Sequence, residues 1–249
     1  MFQRNGLAAA LVVVAGALAC GQVSAAACDA YAVDGYTALE GATVCFRYKA
    51  ENVDPLFGSL QVSGDNIFAI PTDFKALSLD GEGTVETAAT GTIEVVAKQG
   101  YQLDAINVGE RGDYRLSGVG SSVDVDAYLR VFDYYDPTPF WGTEEETLLT
   151  ISGNLAINDD NLHLWSAFGG FDLTTALWTD VNHVGLTLQN TLTAITEAAI
   201  SSAMIQKKAT GTEIEVSVIT SAVVPVPAAV WLLGSGLLGL VAVARRRKA

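Results

Sequence analysis

Between Val123 and Val131 apolar and polar positions alternate without a break. Val123, Val125, Ala127, Leu129 and Val131 point one way, and Asp124, Asp126, Tyr128 and Arg130 the other. A period of two residues marks a strand with one buried and one wetted face. Similar runs recur as ATVCFRYKA, LFGSLQVSGDNIFAI, GTIEVVAKQGYQL, DYRLSGVG, ETLLTISGNLAI, HVGLTLQNTLTAI and EIEVSVITS. Glycine and aspartate separate them, with no long helical spacers. This pattern predicts an all-β domain over residues 28–221, an antiparallel β-sandwich or jelly roll. The segment LTAITEAAISSAMIQKKA is ambiguous. Its alanines permit a helix, but Thr193, Ile195 and Thr196 are β-branched. The reading is a strand through Gly185–Ile195, a turn, and a second strand near Ser202–Ala209.

Both ends depart from this pattern. Leu7–Ala19 is an unbroken apolar run after an N-terminus that carries one arginine, and small residues follow in GQVSAAA. Residues 1–27 therefore read as a signal peptide, cut by signal peptidase between Ala25 and Cys28. Cys20 follows ALA and Cys28 follows AAA, so neither sits in a lipobox. At the other end the chain reads VPVPAAVWLLGSGLLGLVAVARRRKA from Val224. Ala228–Ala244 is 17 residues without a charge. As a helix it would span about 25 Å, near the lower limit for an apolar bilayer core of about 30 Å. Trp231 would lie at the outer interface, and Arg245, Arg246, Arg247 and Lys248 would hold the C-terminus on the cytoplasmic side.

A proline motif, a short membrane helix and an arginine cluster in this order resemble the PEP-CTERM sorting signal of Gram-negative bacteria. Here the parts are Pro225-Val226-Pro227, AAVWLLGSGLLGLVAVA and RRRK, within residues 222–249. Val226 departs from the Glu of the family name. The resemblance implies an exosortase substrate, processed near Pro225–Pro227, from an organism that makes an extracellular polysaccharide. The runs LFGSLQVSGDNIFAIPTDFKA, GYQLDAINVGERGDYRLSG and NTLTAIT look like the β-rich ectodomains joined to such tails.

Charge and cysteine use agree with export. All 28 acids lie between the two end segments, and five of the 14 cations lie outside, which leaves nine cations against 28 acids. So acidic a domain does not bind nucleic acid by phosphate neutralisation. Cys28 and Cys45 are predicted to pair in an oxidising compartment. The bond would close a loop of roughly 18 residues and contribute roughly 3 kcal/mol in the chain-entropy model.

Candidate chemistry is sparse. The histidines are His163 and His183, and neither GxSxG nor HExxH occurs. Each histidine reads as a strand or surface residue. The carboxylates Asp124 and Asp126, Asp133 and Asp136, and Glu144, Glu145 and Glu146 could supply the acid pair of a glycosidase, but chance proximity is expected in so acidic a domain. Asn158, Asp159, Asp160 and Asn161 in INDDNLH carry oxygen donors suited to calcium, and are equally the usual residues of a polar turn. In DYYDPTPFWGTEEE, the rings of Tyr134, Tyr135, Phe140 and Trp141 could stack on sugar rings, or could plug one end of the core. No other cofactor is expected.

These features point to an exported, noncatalytic surface or matrix protein. It would be anchored facing outward, sorted by exosortase and associated with exopolysaccharide or biofilm. The alternatives are a secreted carbohydrate-active enzyme and a stably anchored ectodomain with an uncut tail. Mass spectrometry of the protein from the producer's envelope and medium checks both ends. A chain starting near Ala26–Cys28 and ending near Pro225–Pro227 is expected. A peptide still ending in RRRKA, confined to membranes, would make the tail an anchor.

Overall fold

The computed structural model describes residues 28–137, 142–207 and 214–223. Residues 1–27, read from sequence as a signal peptide, and residues 224–249 of the segment read as a sorting signal lie outside these residues. The described chain is an antiparallel β-sandwich of two sheets.

The first sheet runs in the order β1 (Tyr36–Glu40), β2 (Val44–Lys49), β6 (Gly83–Ala97), β12 (His183–Thr196), β8 (Ser121–Asp133) and β9 (Glu144–Leu148). The second is built around β7 (Tyr101–Ser117). On one side of β7 lie β11 (His163–Asp172) and then β10 (Thr150–Ser152). On its other side the chain runs twice along β7 in one direction. β13 (Ser202–Lys207) pairs its C-terminal part and β14 (Ile214–Ala222) its N-terminal part. Outside these lie β5 (Phe74–Leu79) on β13 and β4 (Asn66–Ile70) on β14, with β3 (Ser59–Ser63) pairing β4.

Three strands of one sheet continue directly into three of the other. β5 leads into β6, β7 into β8, and β12 into β13, all through turns at one end of the sandwich. At this rim the Ser78 and Thr196 hydroxyls meet at 2.7 Å, and Ser78 also donates to the Gly83 carbonyl at 2.7 Å. Paired hydroxyls let the chain turn a corner without leaving a buried polar group unsatisfied.

The alternation at Val123–Val131 is found as read. The five apolar residues are buried, and Asp124, Asp126 and Tyr128 face solvent. The ambiguous segment forms β12 and β13, two strands as expected. Other boundaries moved. GTIEVVAKQGYQL is divided by a turn at residues 98–100, so YQL joins DYRLS in the 17-residue β7. Strands β1, β5 and β11 lay outside the recognised runs. In β11 the signal is weakened by Gly169-Gly170. Gly170 is there because a Cβ would come within 2.4 Å of the Ile106 carbonyl oxygen on β7.

Inward residues of both sheets form one core, including Phe46, Phe74, Val95, Ile106, Leu129, Trp165, Leu186 and Ile205. A second, smaller cluster lies on the outer face of the first sheet. There Cys28, in the 3-10 turn Cys28–Tyr31, is bonded to Cys45 of β2, with Cα atoms 5.5 Å apart, and both pack on Val96. The disulfide expected from sequence is present, and it fastens the start of the described chain over this face.

Candidate functional site

On β2, phenylalanine at 46 points inward and arginine at 47 outward. Register then builds a polar cluster on the outer face of the first sheet. Arg47 lies opposite Glu94 of β6, and Glu94 lies opposite Gly185 of β12. His183 is two residues from Gly185 and so shares its face. Gly185 has no side chain because the Phe132 ring occupies the space, only 2.1 Å from where a Cβ would stand.

The Glu94 carboxylate organises the cluster. Arg47 Nε donates to its Oε2 at 2.5 Å, and His183 Nε2 lies 2.8 Å from the same atom. All three residues are at least nine-tenths buried. The Arg47 guanidinium covers the Tyr36 ring at 4.1 Å and approaches the Tyr134 ring at 5.1 Å. Lys49 lies 5.1 Å from the other part of this array, the Tyr36 ring. Tyr134 stacks on His183 with centroids 4.0 Å apart and planes 15° apart. Tyr135 stands edge-on to both rings, at 5.3 Å from His183 and 5.4 Å from Tyr134, and is 77% exposed.

Electrostatics fix the protonation of these groups. Burial opposes the charge on Arg47, but the hydrogen bond and the charge of Glu94 outweigh it and raise its pKa further. The hydrogen bond to Glu94, with burial and Tyr134 adding to it, holds the Tyr36 phenol well above its ordinary range. Burial lowers His183, against the opposing pull of Glu94. His183 is therefore neutral at pH ~7, and its Nε2–H donates to the carboxylate. The result is a rigid polar base that carries one exposed tyrosine.

The residues singled out from sequence fall into separate places. Tyr134 and Tyr135 join this cluster, while Phe140 and Trp141 lie outside the described residues. Asp133 accepts from the Tyr135 backbone N–H at 2.9 Å, and the Asp136 N–H donates to the Asp133 carbonyl at 3.2 Å, so both shape the tyrosine turn. The run Glu144–Glu146 divides by alternation. Glu144 and Glu146 meet Arg130 on the outer face, and Glu145 accepts from Trp178 Nε1 at 2.5 Å. Asp124 and Asp126 share a wetted face, as read, opposite Thr193 and Thr191.

The loop 157–163 is held by hydrogen bonds within it and to the β7–β8 turn. Asn158 Nδ2 donates to the Gly118 carbonyl at 2.7 Å and reaches Ser121 Oγ at 3.1 Å. Asp159 Oδ1 accepts from the Asn161 N–H at 3.0 Å and lies 2.7 Å from His163 Nε2. Asp160 takes a left-handed backbone, with φ 62°.

Sequence reading missed Tyr36, Arg47, Glu94 and His183 as one group. They come from four strands, and only register brings them together.

No family model and no curated protein matches the chain. Among solved structures, TmCBM61 in complex with beta-1,4-galactotriose is 10% identical and aligns with 59% of this chain and 88% of its own, at a TM-score of 0.19. The enzymatically active domain of bacteriophage CBA120 tailspike protein 4 is 9% identical over 74% of this chain and 19% of its own, at 0.22. The infectious bursal disease virus VP2 subviral particle is 14% identical over 69% of this chain and 43% of its own, at 0.23. Scores this low assign neither a fold family nor a ligand.

The buried His183 makes stability depend on pH. Its native pKa lies below the ordinary 6.5, so as pH falls the unfolded chain takes up a proton before the native state does. The stability that neutral His183 contributes is complete above pH ~6.5 and is lost as pH falls toward the native value. Asp159, held at about 2 chiefly by its hydrogen bond with His163, titrates in a separate acid window. The urea midpoint of the wild-type protein is expected to drop between pH ~7 and ~5, with a much shallower drop in His183→Gln. Equal slopes would place the dependence on other groups.

Proposed function

We propose that this is an exported, noncatalytic surface or matrix protein whose sandwich binds extracellular polysaccharide at the tyrosine end of its outer sheet face. The carrying observation is Tyr135, 77% exposed and standing on the stacked Tyr134–His183 pair. A flat aromatic face on a base fixed by buried charge suits an uncharged pyranose ring. It offers apolar contact area, and little side-chain freedom remains to be lost on binding. The polar rim of Lys49, Asp136 and Tyr36 supplies hydrogen-bonding groups for hydroxyls.

The Cys28–Cys45 bond supports export, because disulfides persist in oxidising compartments. In this reading signal peptidase removes the N-terminal segment. The C-terminal helix then holds the chain in the membrane, facing outward, until exosortase processes it near Pro225–Pro227. The protein afterwards resides at the cell surface or in the matrix.

The noncatalytic reading rests on engaged carboxylates. At the tyrosine end Glu94 is shared by Arg47 and His183, and Glu144 and Glu146 are held by Arg130. A glycosidase needs one carboxyl able to give a proton and another able to attack or activate water.

Retardation in gels containing the producer's own polysaccharide tests this, with and without added calcium because the loop 157–163 carries oxygen donors. The wild-type protein is expected to be retarded. Tyr135→Ala should bind about tenfold more weakly, or about 1.4 kcal/mol, and Asp124→Asn should bind like wild type. Absence of retardation under both conditions would overturn the binding claim. Release of reducing ends, abolished by Asp124→Asn or Asp136→Asn, would make the protein an enzyme.

A further inference from the structure

Between the two sheets lies a cluster that polysaccharide binding does not use. Lys207 of β13, Glu110 of β7 and Asn190 of β12 all point into the sandwich. The Lys207 and Glu110 side chains are 0% exposed, and so is Asn190. Lys207 Nζ donates to Glu110 Oε2 at 2.5 Å and to Asn190 Oδ1 at 2.5 Å. Asn190 Nδ2 donates to Glu110 Oε1 at 2.8 Å, which closes the ring. The orientation of the Asn190 amide follows from chemistry: an amine can donate only to its oxygen, and a carboxylate can accept only from its nitrogen.

We propose that this is a self-modification site, at which Lys207 Nζ and Asn190 Cγ form an isopeptide bond with Glu110 as the proton carrier. The amine sits on the carbonyl it would attack. Its distance to Cγ is at most about 3.7 Å, the hydrogen-bond contact extended by one C=O bond. That is close to the separation at which held reactants behave as an intramolecular pair. Phe74 and Trp165 wall the amine, with Nζ at 5.4 Å and 5.7 Å from their ring centroids, and limit access of water.

Protonation supports the step. Burial lowers the Lys207 pKa, with Glu110 acting in the opposite sense. In a desolvated pair the proton can pass from Nζ to the carboxylate, leaving a neutral amine beside a neutral acid. The amine lone pair then attacks Cγ, and the C=O bond opens to a tetrahedral centre. As it collapses, the Cγ–Nδ2 bond breaks, Glu110 gives its proton to the departing nitrogen, and the carboxylate so regenerated takes the surplus proton from Nζ. One amine and one primary amide become one secondary amide and ammonia. No oxidant, reductant or cofactor enters the balance, and escape of ammonia drives the reaction forward. Cohesion alone is a poor reason to bury these groups, because well-packed apolar residues often serve a core as well or better. The new bond would tie β12 in one sheet to β13 in the other, independently of redox conditions.

Intact mass and peptide mapping of the disulfide-bonded, folded wild-type protein test the proposal. The expected mass is lower than the sequence mass by one ammonia, beyond the hydrogens lost to the disulfide. Cleavage after Glu197 separates Asn190 from Lys207 in sequence, so a linked peptide carrying both is expected. Trypsin should no longer cut after Lys207. The Glu110→Gln variant, shown by near-ultraviolet circular dichroism to be folded, should keep the ammonia and yield separate peptides. If that variant does not fold, the wild-type map still decides. Full mass with separate peptides would mean a buried ion pair only, and would overturn the proposal. Ammonia loss without a linked peptide would place the loss at another amide, and would also overturn it. A linked peptide in folded Glu110→Gln would remove Glu110 from the mechanism.

Discussion

Alternation along one strand places both clusters of this protein. β12 lies in the middle of the first sheet, paired with β6 on one edge and β8 on the other. Its inward residues Leu186, Leu188 and Leu192 form core, and Asn190 among them faces Glu110 and Lys207 of the opposite sheet. Its outward residue His183 meets Glu94. A slip of one residue in this strand would exchange the two faces. Asn190 would then leave the interior, and Leu186, Leu188 and Leu192 would face outward.

The two clusters solve one electrostatic problem in two settings. In each, a buried carboxylate is met by a cation and by a third polar side chain: Glu94 by Arg47 and His183, Glu110 by Lys207 and Asn190. Removing either carboxylate would strand a desolvated cation, which is strongly destabilising. On the outer face the cation is a guanidinium, whose planar head also covers Tyr36. Arginine keeps its charge and offers no nucleophile. In the core the cation is an amine, which can lose its proton when buried. The choice of cation separates the proposed binding platform from the proposed place of bond formation.

How much of this was legible follows from distance along the chain. The strand at Val123–Val131 could be read because its evidence is local: each residue is judged against the next but one. The β12–β13 pair was legible for the same reason, through its β-branched residues. β11 was not, because Gly169-Gly170 answers to a close approach of β7 and not to local preference. The site was legible only at Tyr134 and Tyr135, where aromatics cluster in sequence. Glu94 is 47 residues from Arg47 and 89 from His183, so no spacing rule joins them. A fainter signal did exist for the core cluster. Asn190 interrupts the inward leucines of β12, and Lys207 follows Ala203 and Ile205 on the inward side of β13. A polar residue in an apolar row marks a position whose partner must be sought on the facing sheet.

The outer face of the first sheet, at its tyrosine end, is proposed as the place where this protein meets a glycan. Resonance assignment of the aromatic and imidazole groups, followed by titration with oligosaccharides cut from the producer's polysaccharide, is the measurement that tests this placement. Saturable shifts are expected at Tyr135, Tyr134 and His183, with Phe168 on the exposed face of the other sheet unmoved. Shifts centred on Phe168, or none anywhere at saturating oligosaccharide, would contradict the placement.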